Sequence, residues 1–221
     1  MIFIFENQMI REDGINRIEV PFNVWEVNSE QGPLSAEITI NSQKFTCIME
    51  PKGKGHYYLT VPEKVAEKLE PQDSYKVSFG IKERVKKETP ESPYSLTNPI
   101  RSVDQISLVR QPWDGLCGQA CIAMLAGISL EEAGEIMQCR EWQDSMEKIV
   151  ESLNYLGIAH SDTIYYNCGN ACLLPKCAVL LLRLGRYSHY LIYFDGKYYD
   201  PSEGISDNID EKQLIGFFEI L

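Results

Sequence analysis

The amino-acid sequence predicts two domains, a small N-terminal β-barrel and a C-terminal α+β domain. Three observations predict them. The first 85 residues carry short apolar runs separated by turn residues. A charged, proline-bearing stretch without hydrophobic period follows. Beyond it, helical patterns come first and extended apolar runs later, which is the order of an α+β domain. The expected boundaries are 1–85 for the barrel, 86–104 for the linker and 105–221 for the second domain. A chain of 221 residues is long enough for both.

In the first part, Val20–Val27 alternates around Trp25. Leu34–Ile40 and Lys44–Met49 flank Asn41-Ser-Gln as a hairpin. Pro51–Gly55 is a turn cluster, and His56–Val61 is the next strand. Pro62 opens a short helix to about Leu69, because proline is tolerated in a first turn. Ser74–Ile81 is extended again. Glu83–Asp104 holds Pro90, Pro93 and Pro99 and ends the barrel. In the second part Cys117–Ala126 is helical. Ser129 and Glu132 form a capping-box pattern that starts a helix running to about Gln138. Trp142–Leu156 is a longer amphipathic helix stopped by Gly157. Ala178–Leu184, His189–Phe194, Lys197–Asp200 and Ile215–Leu221 are extended.

Charge narrows the function. The net charge is −11, divided as −2 over residues 1–90 and −9 over residues 91–221. Such a chain is a poor partner for nucleic-acid phosphates or anionic lipid. No run of about 18 apolar residues predicts a membrane span. The opening Met-Ile-Phe-Ile-Phe-Glu-Asn has no basic region and is not read as a secretory signal. The seven cysteines are read as reduced thiols, and the expected location is cytoplasmic.

The chemistry centres on Gln111-Pro-Trp-Asp-Gly-Leu-Cys-Gly. A free thiol has a pKa of ~8.5 and needs help to become a nucleophile near neutrality. Cys117 stands at a helix N-terminus, whose unpaired amides favour negative charge. Gly118 permits close approach. For a base, His189 lies on a strand that Asp195-Gly196 turns into a two-residue hairpin. That turn pairs Phe194 with Lys197, Tyr193 with Tyr198 and Ile192 with Tyr199. It also sets Asp200 on the same face as His189, as a diagonal neighbour. A carboxylate there orients an imidazole. Gln111 stands ready to donate to an oxyanion together with the Cys117 amide.

Gln111, Cys117-Gly118, Ala120-Cys121, Ala123-Met124, His189-Tyr190 and Asp200-Pro201 together resemble the papain-like cysteine peptidases of the bacteriocin-processing, double-glycine type, over about residues 105–205. The resemblance implies Cys117 as nucleophile, His189 as general base and acid, Asp200 as orienting residue and Gln111 as oxyanion donor. It departs at Leu116, where that family often carries aspartate. Transporter segments like those of its exporter-linked members are not seen. The first part resembles a small bacterial β-barrel family of unknown function through Ile38-Thr-Ile-Asn-Ser, Lys52–Pro62 and Tyr75-Lys-Val-Ser-Phe. That resemblance implies no chemistry.

The expected function is therefore a thiol hydrolase acting on a peptide or isopeptide bond of a peptide or protein substrate, without cofactor or metal. Deamidation or acyl transfer at the same site, and a catalytically inactive peptide-binding protein, are the alternatives. Cys168, Cys172 and Cys177, with His160 nearby, lack the paired spacing of a zinc knuckle, and a redox role for them stays open. Cys121 reads as packing.

Overall fold

The structure, a computed structural model, describes residues 1–28, 31–82, 91–166 and 173–221. The chain divides into two compact units. The first is Met1–Lys87 with Asp162–Cys168, and the second is Glu88–Ser161 with Gly169–Leu221.

The first unit is β-rich. Its strands are β1 (Ile2–Asn7), β2 (Met9–Glu12), β3 (Ile15–Glu19), β4 (Leu34–Ile40), β5 (Gln43–Gly53), β6 (His56–Val61), β7 (Tyr75–Ile81) and part of β8 (His160–Tyr166). They lie in the order β8-β1-β7-β4-β5-β6-β3-β2, antiparallel except for the parallel β1–β8 pair. No ladder among the described residues joins the two ends of this order, so what is observed is a sheet and not the closed barrel expected. The hairpin at Asn41-Ser-Gln forms as expected, with Ile40 paired to Gln43. Alternation along β4 and β7 sends Leu34, Ala36, Ile38, Ile40, Tyr75, Val77 and Phe79 into one core. Phe3, Phe22, Phe79 and Tyr166 meet there, and the Phe22 and Tyr166 rings stack at 3.8 Å.

Three expectations for this unit are corrected. Val20–Val27 is not a strand. Val20, Phe22 and Val24 are buried as the alternation requires, but Asn23 Oδ1 accepts from the Trp25 amide and closes a 3-10 turn over Val24–Glu26. A short polar side chain that bonds the local backbone competes with a ladder. The turn cluster at Pro51–Gly55 is mostly strand, since β5 runs on to Gly53. The helix after Pro62, α1 (Glu63–Ala66), is one turn long, with Pro62 as its cap.

In the second unit α2 (Cys117–Ala126), α3 (Leu130–Met137) and α4 (Met146–Tyr155) precede β9 (Cys177–Leu184), β10 (Tyr187–Phe194), β11 (Lys197–Asp200), β12 (Gly204–Ser206) and β13 (Leu214–Ile220). The strand order is β12-β11-β10-β9-β13, antiparallel throughout. All ten residues of α2 are buried. A helix apolar on every side needs neighbours on every side, and α3, α4 and β10 supply them. The capping box at Ser129 and Glu132 forms in both directions. The long helix begins later than expected, at Met146, because Ser145 caps it and the Trp142 backbone has φ 60°.

The expected linker is corrected as well. Residues 91–104 belong to the second unit. Ser92 Oγ bonds the Tyr155 carbonyl, Ile100 N donates to Leu156 O at 3.0 Å, and Tyr94 packs edge-on against Tyr155. Backbone hydrogen bonds and a half-buried aromatic anchor such a stretch without any hydrophobic period. Residues 83–90 lie outside the described residues. Among the described residues no helix is long and apolar enough to cross a membrane.

Candidate functional site

Asp195 (φ 48°) and Gly196 (φ 85°) both take the left-handed conformation that a two-residue hairpin turn demands. The pairs that follow are those expected: Phe194 with Lys197, Tyr193 with Tyr198 and Ile192 with Tyr199. Asp200 therefore reaches His189, and its Oδ1 lies 2.9 Å from His189 Nε2. The same oxygen accepts from the amides of Ser202 (2.7 Å) and Glu203 (3.2 Å). Burial raises the Asp200 carboxyl, but the hydrogen bond and charge of His189 and the two amides outweigh it and hold the carboxyl below its ordinary value. Asp200 is thus an anchor, favoured in its ionised form, that holds the imidazole at Nε2.

Gln111 is strapped into the same corner. Its amide N donates to Pro201 O at 3.1 Å, its Nε2 to Ser202 Oγ at 2.6 Å, and its Oε1 accepts from Leu116 N at 3.1 Å. One cleft of about 230 Å³ is lined by Gln111, Cys117 and His189, together with Asp144, Trp142 and Tyr187. The structure thus brings together Gln111, Cys117 and His189, with Asp200 behind the imidazole.

Asp144 is the residue that the sequence reading missed. Its Oδ2 accepts from the Cys117 thiol at 3.3 Å and from the Gly118 amide at 2.6 Å. Leu116, the residue before α2, has no side-chain acceptor. Asp144 caps the helix instead, from the connection between α3 and α4. Gly118 makes room for it: a Cβ at that position would lie 2.6 Å from Oδ2. The segment is held by Trp142 N donating to Gly115 O at 2.8 Å and by Gln119 Nε2 donating to Arg140 O at 3.2 Å.

This arrangement changes the electrostatics expected for Cys117. Burial, then the Asp144 carboxylate, push the thiol far up, against the opposing pull of the Tyr190 and Gly118 amides. Both effects favour the protonated thiol, and the anion-favouring position at the helix mouth is taken by a carboxylate. Burial also raises Asp144 itself, although the Gly118 amide, the thiol and the charge of His189 pull it down.

The remaining candidates have structural surroundings. Cys121 is fully buried in α2, and burial holds its thiol well up. Cys177 is buried in β9, with its thiol pushed up to about 12 by burial. His160 bonds Ser161 O and Asn154 Oδ1. Among the described residues no three metal-ligating side chains converge, and Cys168 and Cys172 lie outside the described residues.

Residues 5–81 match a sequence family described as a domain of unknown function, DUF1905. A comparison with curated proteins finds no match. The matched stretch lies in the first unit, and every residue lining the cleft lies beyond it.

Proposed function

We propose that the second unit is a thiol hydrolase of papain-like architecture, acting on a peptide or isopeptide bond. One observation carries the reading: Cys117, His189 and Gln111 share a cleft in which Asp200 clamps the imidazole. In the reaction, Cys117 Sγ bonds the carbonyl carbon while its proton passes to His189 Nδ1. The Cys117 amide and Gln111 Nε2 hold the oxyanion. The imidazolium, steadied by Asp200, gives its proton to the departing amine, and water then releases the acyl group from sulfur. The first unit, a β-rich sheet module, serves as scaffold or partner surface. We assign the protein to the cytoplasm, and the five described cysteines, all free, support a reducing compartment.

Cys117→Ala should abolish labelling by a thiol-directed acyl probe, and unchanged labelling would reject the assignment. Deamidation or acyl transfer at the same sulfur would be separated by product analysis with and without an added amine. The raised thiol favours a second reading, a peptide-binding protein without turnover. A Cys117 no more reactive than a free thiol toward every acyl probe between pH 5 and 8 would support that reading.

A further inference from the structure

We infer that Asp144 is a specificity-determining residue of this site: its carboxylate holds Cys117 as the resting thiol and receives a positively charged group of the acyl donor, so that a lysine- or arginine-like side chain both docks and frees the nucleophile. The inference rests on the thiol-hydrolase reading and names its substrate class.

The seat of Asp144 is built, not incidental. The carboxylate bonds the sulfur and the Gly118 amide at once, and the absence of a side chain at Gly118 is what lets it in. Among the described residues, the cleft lining around it includes a second carboxylate, Asp114, and neither lysine nor arginine. The lining also presents two aromatic faces. Trp142 and Tyr187 are 58% and 61% exposed, with ring centroids 5.2 Å apart. Exposure on that scale is ordinarily a mark of loose side chains, yet Trp142 is pinned. Its φ of 60° is unusual for a bulky residue, its amide bonds Gly115 O, and its ring covers the face of Gly115, where a Cβ would lie 2.8 Å from it. Backbone held in this way recurs at ligand clamps. A pinned, exposed indole face with a second ring beside it and a carboxylate at hand suits an ammonium or guanidinium group through ring quadrupole and charge together. A cation there offsets the charge that keeps the proton on sulfur. His189 then takes that proton as sulfur attacks. A neutral donor leaves the carboxylate–thiol contact intact.

The test uses the full-length protein and matched lysyl and norleucyl chloromethyl ketones. Labelling forms the S–C bond, expels chloride and passes the thiol proton to His189. The wild type should react about tenfold faster with the lysyl probe, because the reactive species is the thiolate. Asp144→Asn keeps the side-chain shape and an acceptor for the Gly118 amide. It should react about tenfold faster than wild type with neutral iodoacetamide and lose the lysyl preference. Equal wild-type rates with the two ketones, a preference retained in D144N, or an iodoacetamide rate unchanged or lowered in D144N would each overturn the inference. Should D144N fail to fold, the wild-type pair of ketones decides alone. If neither ketone labels the wild type, the hydrolase reading falls. The iodoacetamide comparison then still decides whether Asp144 restrains the thiol.

Discussion

Gly118→Ala joins packing and chemistry in a single methyl group. The added Cβ would stand 2.6 Å from Asp144 Oδ2 and 2.7 Å from Asp144 Cβ, closer than real side chains approach. Either α2 or the α3–α4 connection must move. Overpacking of this kind costs about 1–3 kcal/mol. If Asp144 retreats, the buried Gly118 amide loses its acceptor, at a further cost of about 1–3 kcal/mol. Alanine returns up to about 1 kcal/mol through its better helix propensity. The net expectation is about 1–4 kcal/mol of destabilisation, since the two penalties partly replace one another. The assay is thermal unfolding followed by near-ultraviolet circular dichroism, alongside iodoacetamide kinetics on the folded protein. The melting temperature should fall by several degrees, and the surviving folded fraction should alkylate faster than wild type. An unchanged or raised melting temperature would refute the seating of Asp144 against Gly118, because alanine would then have gained its propensity and met no obstacle.

Two further predictions accompany this one and those given above. Asp144 is held above the ordinary carboxylate range, chiefly by burial, so the folded protein binds that proton more tightly than the unfolded chain. Its contribution to stability is full below the unfolded carboxylate pKa of about 3.9 and is lost as pH rises through the higher folded value. Asp144→Asn should flatten that decline, as read from urea midpoints across the weakly acidic range, and an unaltered pH profile would contradict the burial. Ser145 Oγ accepts from the Lys148 amide at 3.2 Å at the start of α4. Ser145→Ala should cost about 1 kcal/mol while Ser145→Gly costs only a few tenths, and equal losses in the two variants would point away from capping.

Much of the site was legible because it is written in short-range rules. Asp-Gly dictated a hairpin, the hairpin dictated register, and register put Asp200 beside His189. The capping signal at Ser129 and the small-residue helix behind Cys117 were local as well. Asp144 escaped because a continuous amphipathic pattern absorbed it into a helix from Trp142. Reading Ser145 as the cap would have left Asp144 outside that helix, as a loop carboxylate. Its meeting with Cys117 spans 27 residues and has no periodic signature. In the first unit, β2 and β3 set few apolar residues among charged ones, and β1 opens on an unbroken apolar run, Ile2–Phe5, that shows no alternation. β8 was missed because it pairs in parallel with β1, a contact at very long range.

What the chain by itself determined is everything set by neighbours within a turn or a hairpin: the helix at Cys117, the β10–β11 register and the pairing of imidazole with carboxylate. What the tertiary structure alone decided is the set of groups around the sulfur, which favours the protonated thiol. Ionisation depends on which groups crowd a point in space and how much water they exclude, and folding brings Asp144 to the thiol from a distant loop. Proximity along the chain favours the thiolate; proximity in space keeps the proton on.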